Sequence, residues 1–499
     1  MIAGHWSFSG SSALLGATLI AVAGCGSGDS TASAGASELL PMTGASETAA
    51  ATAAPAPNGQ TPDVSEASPP VVLAPGTTPE GAAPGTMPAA QDPPQCRFSL
   101  SNSRVSPVIP TVGIVEWSSD LAGIDSAAIE FGLDDTYGLK APVDLGAPNH
   151  RTLLLGMKAS REYHFRIVAG NGTSECRSED FSLRTGPLAN NLPDIEVTTN
   201  DAAALAGGYL VTGQYQGGPA YILDADGDFV WWYNLDEVTR ARLSYDGKSM
   251  WIGNGNVPQR QAIVHLVSMD GLDDQDLSAS FQDYNHDLAV LPDGTVLFIA
   301  YADGCDDIRE RSPSGSVRTI INSGDVVGAR MCHCNAIHYS TPDDTVVFSD
   351  LDSDTYSKVT RSGDVVWVLG GDSSRFTGNG ATWDNQHGFQ MLGLDRLLIF
   401  NNGAAGDRAG SLAIEILLNL NSMTATRGFQ YAAQPAIANQ VMGDVQRLDN
   451  GNTLVAYSTQ GVVHEVDANG RLLQQLEWGL GGAIGYVEKR KSLYGPPPN

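Results

Sequence analysis

Nine histidines occur in this 499-residue chain, and three of them, His286, His333 and His387, recur at nearly one phase of a sequence repeat. His286 stands 7 residues ahead of Asp293, His387 stands 8 ahead of Asp395, and His333 stands 10 ahead of Asp343. Each of those aspartates opens a turn that leads into a β-rich run. Equal phase puts the three imidazoles at the start of the first strand of consecutive repeats, on one rim of whatever the first strands line. Converging imidazoles can bind a transition metal, or they can supply a nucleophile and proton donors for group transfer.

The metal reading draws on Cys332-His333-Cys334 and His338, and would want a carboxylate such as Asp287. Side chains alternate along a strand, so Cys332 and Cys334 point away from His333. Group transfer is therefore preferred, and neither a metal nor a cofactor is expected. His464 follows the last turn of the same series, inside a strand, and is expected to be structural.

The elements that must position these residues are legible in two ladders of turns. One reads Asp226-Gly227, Asp270-Gly271, Ser314-Gly315, Ser362-Gly363 and Asn469-Gly470, the first four spaced 44, 44 and 48 residues apart. The last gap is about two periods, which implies a degenerate turn near residue 425. The second ladder reads Asp246-Gly247, Asp293-Gly294, Asp343-Asp344, Asp395-Arg396 and Asn450-Gly451. Two turns per period mean four strands per period, the signature of a β-propeller. Residues 194–490 accommodate six blades at roughly 50 residues each. Ahead of them, residues 95–188 hold short apolar runs such as Val112–Trp117 and Tyr163–Val168 between regular turns, the pattern of a β-sandwich. Its Leu155–Ala169 stretch resembles two consecutive strands of a fibronectin type III domain, and His164 is expected to point outward there. The expected fold is all-β, a six-bladed propeller preceded by a fibronectin type III-like sandwich.

The start of the chain reads as export machinery. No Lys or Arg precedes Arg97, and the apolar run Ala13–Gly24 ends at Cys25. Such a run is too short to span a bilayer and fits a signal-peptide core over residues 1–24. Val22-Ala23-Gly24-Cys25 resembles a bacterial lipobox, so Cys25 is expected to carry lipid and hold the chain at the outer membrane, periplasmic or cell-surface. Residues 25–94, rich in Ala, Pro, Ser, Thr and Gly, read as a disordered stalk. Disulfides are permitted in that setting. Cys96 pairs with Cys176, and Cys305 with Cys332 or Cys334. A net charge of −28 argues against nucleic acid as a partner, and against a membrane contact made through basic patches rather than the lipid.

Four motifs, in order, resemble the bacterial arylsulfotransferases, six-bladed propeller enzymes that work outside the cytoplasm. They are Asn285-His286-Asp287 before Leu291–Gly294, His333–Ile337 before Asp343-Asp344, Val365–Gly371, and Gln386-His387-Gly388 before Ile399–Gly403. The resemblance covers residues 200–485. It implies that His387 takes the sulfuryl group from an aryl sulfate and passes it to a phenol, while His286 and His333 stabilise charge or move protons. Asp287 and Asn335 would orient these neighbours. The family's arginine after the second histidine is replaced by Leu351, between Asp350 and Asp352; Arg330 or Arg375 is the candidate substitute. No Gly-x-x-x-x-Gly-Lys-Ser/Thr loop occurs, so a nucleotide donor is not indicated. The alternative is a non-catalytic propeller that binds a ligand or partner, for which a ring of Asp350, Asp352 and Asp354 would speak.

Overall fold

The computed structural model describes residues 96–215, 217–235, 238–255, 262–330, 332–403, 410–479 and 482–496. The signal-peptide segment, Cys25 and the stalk lie outside the described residues.

The first β-layers come from residues that alternate in burial. In Glu162–Gly170, Tyr163, Phe165 and Ile167 point inward, while His164 and Arg166 face out. That strand joins Ser126–Gly132, Leu139–Pro142 and the broken edge Glu175–Arg177 and Phe181–Arg184 in one sheet. Phe98–Val105, Gly113–Ser119 and Thr152–Leu154 form the other. Trp117, Ile129, Phe131 and Phe165 fill the space between them. Cys96 is disulfide-bonded to Cys176, and His164 meets Asp180 at 2.7 Å on the outer face.

From Ile195 onward the strands make six sheets, each a meander of antiparallel neighbours. The first strands of the second to sixth sheets are Arg240–Leu243, Tyr284–Val290, Cys334–Ser340, Gln386–Met391 and Asp444–Arg447. The first sheet is assembled from both ends of the chain: its innermost strand is Glu488–Arg490, paired with Tyr209–Gly213. In return, Ile195–Asn200 adds a fifth strand to the outer edge of the sixth sheet. Apolar layers fill each junction between consecutive sheets. Trp251 meets Phe298, Ile299 meets Val346, Tyr356 meets Phe389, and Phe400 meets Val455. Leu454 and Leu476 pack on Tyr221 and Trp232 of the first sheet, so the ring of sheets returns on itself, a propeller-type arrangement.

Both ladders of turns are realised. Asp293 sits between the first two strands of its sheet, its Oδ1 accepting from Thr295 N at 2.9 Å, with Gly294 at φ 82°. The fourth sheet lacks glycine there, and Asp344 takes the left-handed position at φ 51°. The degenerate turn falls between Asn419 and Thr424.

The sandwich is seated on the first two sheets. Ile109, Val112 and Leu155 join the apolar layer of Val230, Trp231 and Ile252. Lys158 Nζ lies 2.7 Å from Asp226 and Asp228 and 3.2 Å from Asp224, so those three clustered carboxylates already hold a cation from the chain itself. Arg151 pairs with Asp270.

Candidate active site

The first strands of the third and fifth sheets are interrupted at the same place. In the third, pairing jumps from Asn285↔Ile299 to Leu288↔Phe298, which leaves His286 and Asp287 outside the register. In the fifth it jumps from Gln386↔Asn401 to Phe389↔Ile399, around His387 and Gly388. Bulges re-aim side chains, and both histidines are carried in one; His286 sits at φ 52°. In the fourth sheet the bulge residue is Asn335, between Cys334↔Asp350 and Ala336↔Ser349. His333 therefore departs from strict equal phase and approaches from just ahead of its strand.

The structure brings the three imidazoles together. His333 Nε2 lies 3.2 Å from His286 Nε2, with ring centroids 4.9 Å apart. His286 is 7 % exposed and His387 3 %. Burial lowers the His286 pKa well below its ordinary value, and any positive charge on His333 or His387 lowers it further. Burial also lowers His387, to about 4; the bond to Asn402 opposes that shift and His333 adds to it. Both rings are neutral at pH 7.

Hydrogen bonds fix which nitrogen carries the proton. Asn402 Nδ2 donates to Asn439 O at 2.7 Å and Met442 O at 2.8 Å, which uses both amide hydrogens. Its Oδ1 must then accept, and it lies 2.8 Å from His387 Nδ1. His387 is the Nδ1–H tautomer, with a lone pair left on Nε2. A parallel relay serves His286: its Nδ1 bonds Asn285 Oδ1, and Asn285 Nδ2 donates to Asp306 at 3.4 Å. His286 Nε2 is then an acceptor, so His333 Nε2 carries the proton between the two rings.

Aspartates hold the backbone beside each histidine. Asp350 accepts from His333 N at 3.0 Å, Asp306 from Cys334 N at 2.7 Å, and Asp354 from Asn385 N at 2.7 Å. Burial, with Asp350 and Asp352 nearby, pushes Asp306 up to about 7. Cys305 is disulfide-bonded to Cys332, while Cys334 is a buried thiol that donates to Asp350 at 3.6 Å.

Other expected supporting residues fall elsewhere. Asp287 hydrogen-bonds to none of the three imidazoles: it takes a bidentate pair from Arg240 at 2.6 and 2.9 Å and a bond from Ile337 N at 3.1 Å. Arg240 also reaches Asp444 at 3.4 Å and lies over the Tyr486 ring at 4.4 Å. Burial works against the Arg240 charge, but Asp287 and Asp444 outweigh it and raise its pKa. Asn335 acts at one remove, donating to Gln386 O at 2.7 Å and so tying the strand of His387 to the fourth sheet. Arg330 is exposed ahead of His333, and Arg375 is exposed and donates to Val366 O at 3.2 Å. Leu351 is half-buried, its N–H on His333 O at 2.8 Å. Among the described residues, no arginine or lysine hydrogen-bonds to any of the three imidazoles. His464 lies in the sixth sheet, its Nδ1 2.9 Å from Tyr431 OH.

Sequence reasoning missed Arg240, Asp444, Asn402 and Asp306. The first two carried a signal. Arg240, Asp287 and Asp444 each stand 6 residues before their turn residues Asp246, Asp293 and Asn450, so one phase builds the buried ionic group. Asn402 stood inside the same recognised motif as His387, but the carbonyls of Asn439 and Met442 that orient its amide lie 37 and 40 residues away.

The family described as arylsulfotransferase (ASST) has a model that matches residues 306–479, a span that includes His333 and His387. No curated protein matches the chain. Among solved structures, TolB from Acinetobacter baumannii aligns at 12% identity over 67% of this chain and 80% of its own, with a TM-score of 0.41. Virginiamycin B lyase from Staphylococcus aureus aligns at 11% identity over 77% and 99%, with a TM-score of 0.32. Likeness at this level carries no functional argument.

Proposed function

We propose, from the assignment of residues 306–479 to the arylsulfotransferase family, that this chain moves a sulfuryl group from an aryl sulfate to a phenol through a sulfo-histidine at His387. The observation that carries the reading is the tautomer: Asn402 holds the Nδ1 proton, and the Nε2 lone pair of a neutral imidazole is left to attack. In the first half-reaction Nε2 attacks sulfur and the bond from sulfur to the aryl oxygen breaks. The phenolate leaves with that electron pair, its developing charge met by imidazole N–H groups, and is protonated from solvent. In the second half the acceptor phenol loses its proton to a neutral imidazole and on to solvent, its oxygen attacks sulfur, and the S–N bond breaks to restore His387. Positioning and charge stabilisation supply most of the rate in such transfers. With Leu351 where the family has arginine, neutral imidazole N–H groups are left to meet the sulfuryl oxygens in this reading.

We read the ring as a six-bladed β-propeller. The sheet orders of residues 98–184 support a fibronectin type III-like sandwich. We also place the mature protein on a lipid at Cys25, outside the cytoplasm. Cys25→Ser should move it from membranes to the soluble exported fraction, and unchanged retention would refute the anchor.

The test of the chemistry is rapid quench with labelled aryl sulfate followed by peptide mass spectrometry. One sulfate on the peptide holding His387 is expected. Turnover in His387→Ala equal to wild type would sink the mechanism. Asp350 and Asp354, which stand among the described residues around the imidazoles where the family's arginine would be, favour a second reading, a non-catalytic binding propeller. Wild-type protein that turns over no aryl sulfate would establish that reading instead.

A further inference from the structure

A cavity of about 140 Å³ lies against Asp444 of the buried Arg240–Asp287–Asp444 group, and none of the three site imidazoles lines it. Phe389, Val445 and Val487 give it apolar wall, and Arg242, His338 and Glu488 give it polar groups.

Two polar atoms of its lining are sealed from solvent with no hydrogen-bond partner, Arg242 Nε and Glu488 Oε2. Glu488 is 7 % exposed, and its other oxygen lies 3.7 Å from Arg490 Nη1. Arg242 and Glu488 are opposite charges on the innermost strands of neighbouring sheets, yet they form no ion pair with each other. A buried donor and a buried acceptor left unmade each cost about 1–3 kcal/mol. One molecule with an acceptor at one end and a donor at the other satisfies both.

We propose that this cavity binds a small zwitterion of short α-amino-acid size, its carboxylate on Arg242 and its ammonium on Glu488. A simple anion would meet the Glu488 carboxylate, and a simple cation would meet the Arg242 guanidinium. The cavity has room for on the order of ten water-sized groups, enough for glycine or alanine. The site is independent of the sulfuryl-transfer reading.

Calorimetric titration and thermal melting of the full-length protein test it, with glycine, L-alanine, acetate and methylammonium at matched concentration. Glycine or alanine should bind saturably and raise the melting temperature, while acetate and methylammonium should not. Glu488→Gln should weaken glycine binding at least about tenfold. Because removal of one buried charge can itself unfold the site, the charge-neutral double variant Arg242→Met, Glu488→Met is the control; it should melt as a folded protein and bind no glycine. Acetate binding as tightly as glycine would overturn the zwitterion assignment. So would no response to any of the four, since water alone then satisfies Arg242 and Glu488.

Discussion

His387 and His464 are each 3 % exposed, and burial lowers both imidazoles to a pKa of about 4. By exposure and proton affinity they are the same residue. Their second nitrogens separate them. His464 has Nδ1 on Tyr431 OH, edge contacts with the Tyr431 and Tyr457 rings and Gln475 alongside, and its Nε2 is sealed from solvent. His387 sits in a bulge of its sheet's first strand, its Nδ1 committed to Asn402 and its ring close enough to His333 to be influenced by that residue's charge. A depressed pKa therefore marks burial and says little about chemistry; a committed nitrogen with its opposite lone pair free says more.

The comparison is most sharply tested by removal of each ring. In the proposed mechanism His387→Ala loses at least about a thousandfold in kcat/KM, because every turnover passes through the lost nucleophile. His464→Phe, which keeps the packing, should stay within a factor of about two of wild type. Steady-state assays with a chromogenic aryl sulfate and a phenol distinguish the two. A large loss in His464→Phe with folding intact would break the contrast.

A smaller effect follows from Asn402. Asn402→Leu leaves His387 present but frees its tautomer, and a drop of about 10- to 100-fold in kcat with little change in KM is expected. Asn402→Asp restores an acceptor and adds a charge that favours imidazolium. That variant should recover activity at high pH while its acidic limb moves up from near 4. A merely structural role for Asn402 would leave the pH profile where it is.

Acid stability sets the two histidines side by side again. Each has a folded pKa depressed from the usual 6.5 to about 4, so each contributes stability that is complete above pH 6.5 and is lost as pH falls through about 4. His464→Phe should flatten the fall in unfolding free energy between pH 7 and 4.5 by about 2 kcal/mol, read from denaturant melts at the two pH values. An unchanged pH slope would show that burial of His464 carries no proton linkage.

The smallest expected change is a gain. Leu351→Arg places a cation beside His333 O and should raise kcat/KM a few-fold, about 1 kcal/mol or less of transition-state stabilisation, because Asp350 and Asp352 flank it. No gain, with the fold intact, would mean that the position 351 side chain does not face the pocket.

Much of the scaffold was legible in the chain, because turn chemistry is local. Asp-Gly pairs at a fixed period demand tight turns wherever they occur, and two of them per period count four strands without knowledge of any contact. The alternation in Tyr163–Val168 likewise needs only one buried face. The histidine phase identified three residues that converge, yet it assumed regular strands, and the sheets are irregular where it matters. The bulges at His286 and His387 turn those side chains, and in the fourth sheet Asn335 takes the bulge while His333 stands ahead of it.

What sequence determined by itself is the periodic part: the repeat, its turns, the histidine set, Cys96 with Cys176, and a choice of Cys332 or Cys334 as the partner of Cys305. The tertiary structure decided the rest. Cys334 opens a strand with its thiol on Asp350, which leaves Cys332 for Cys305. Asn402 chooses the His387 tautomer because Asn439 and Met442 consume its donors, and Asp287 goes to Arg240 rather than to a histidine. These choices join positions 15 to 47 residues apart, and the Arg240–Asp444 contact joins two that are 204 apart. Local propensity carries no information about such pairs, since only closure of the ring brings them within hydrogen-bond reach.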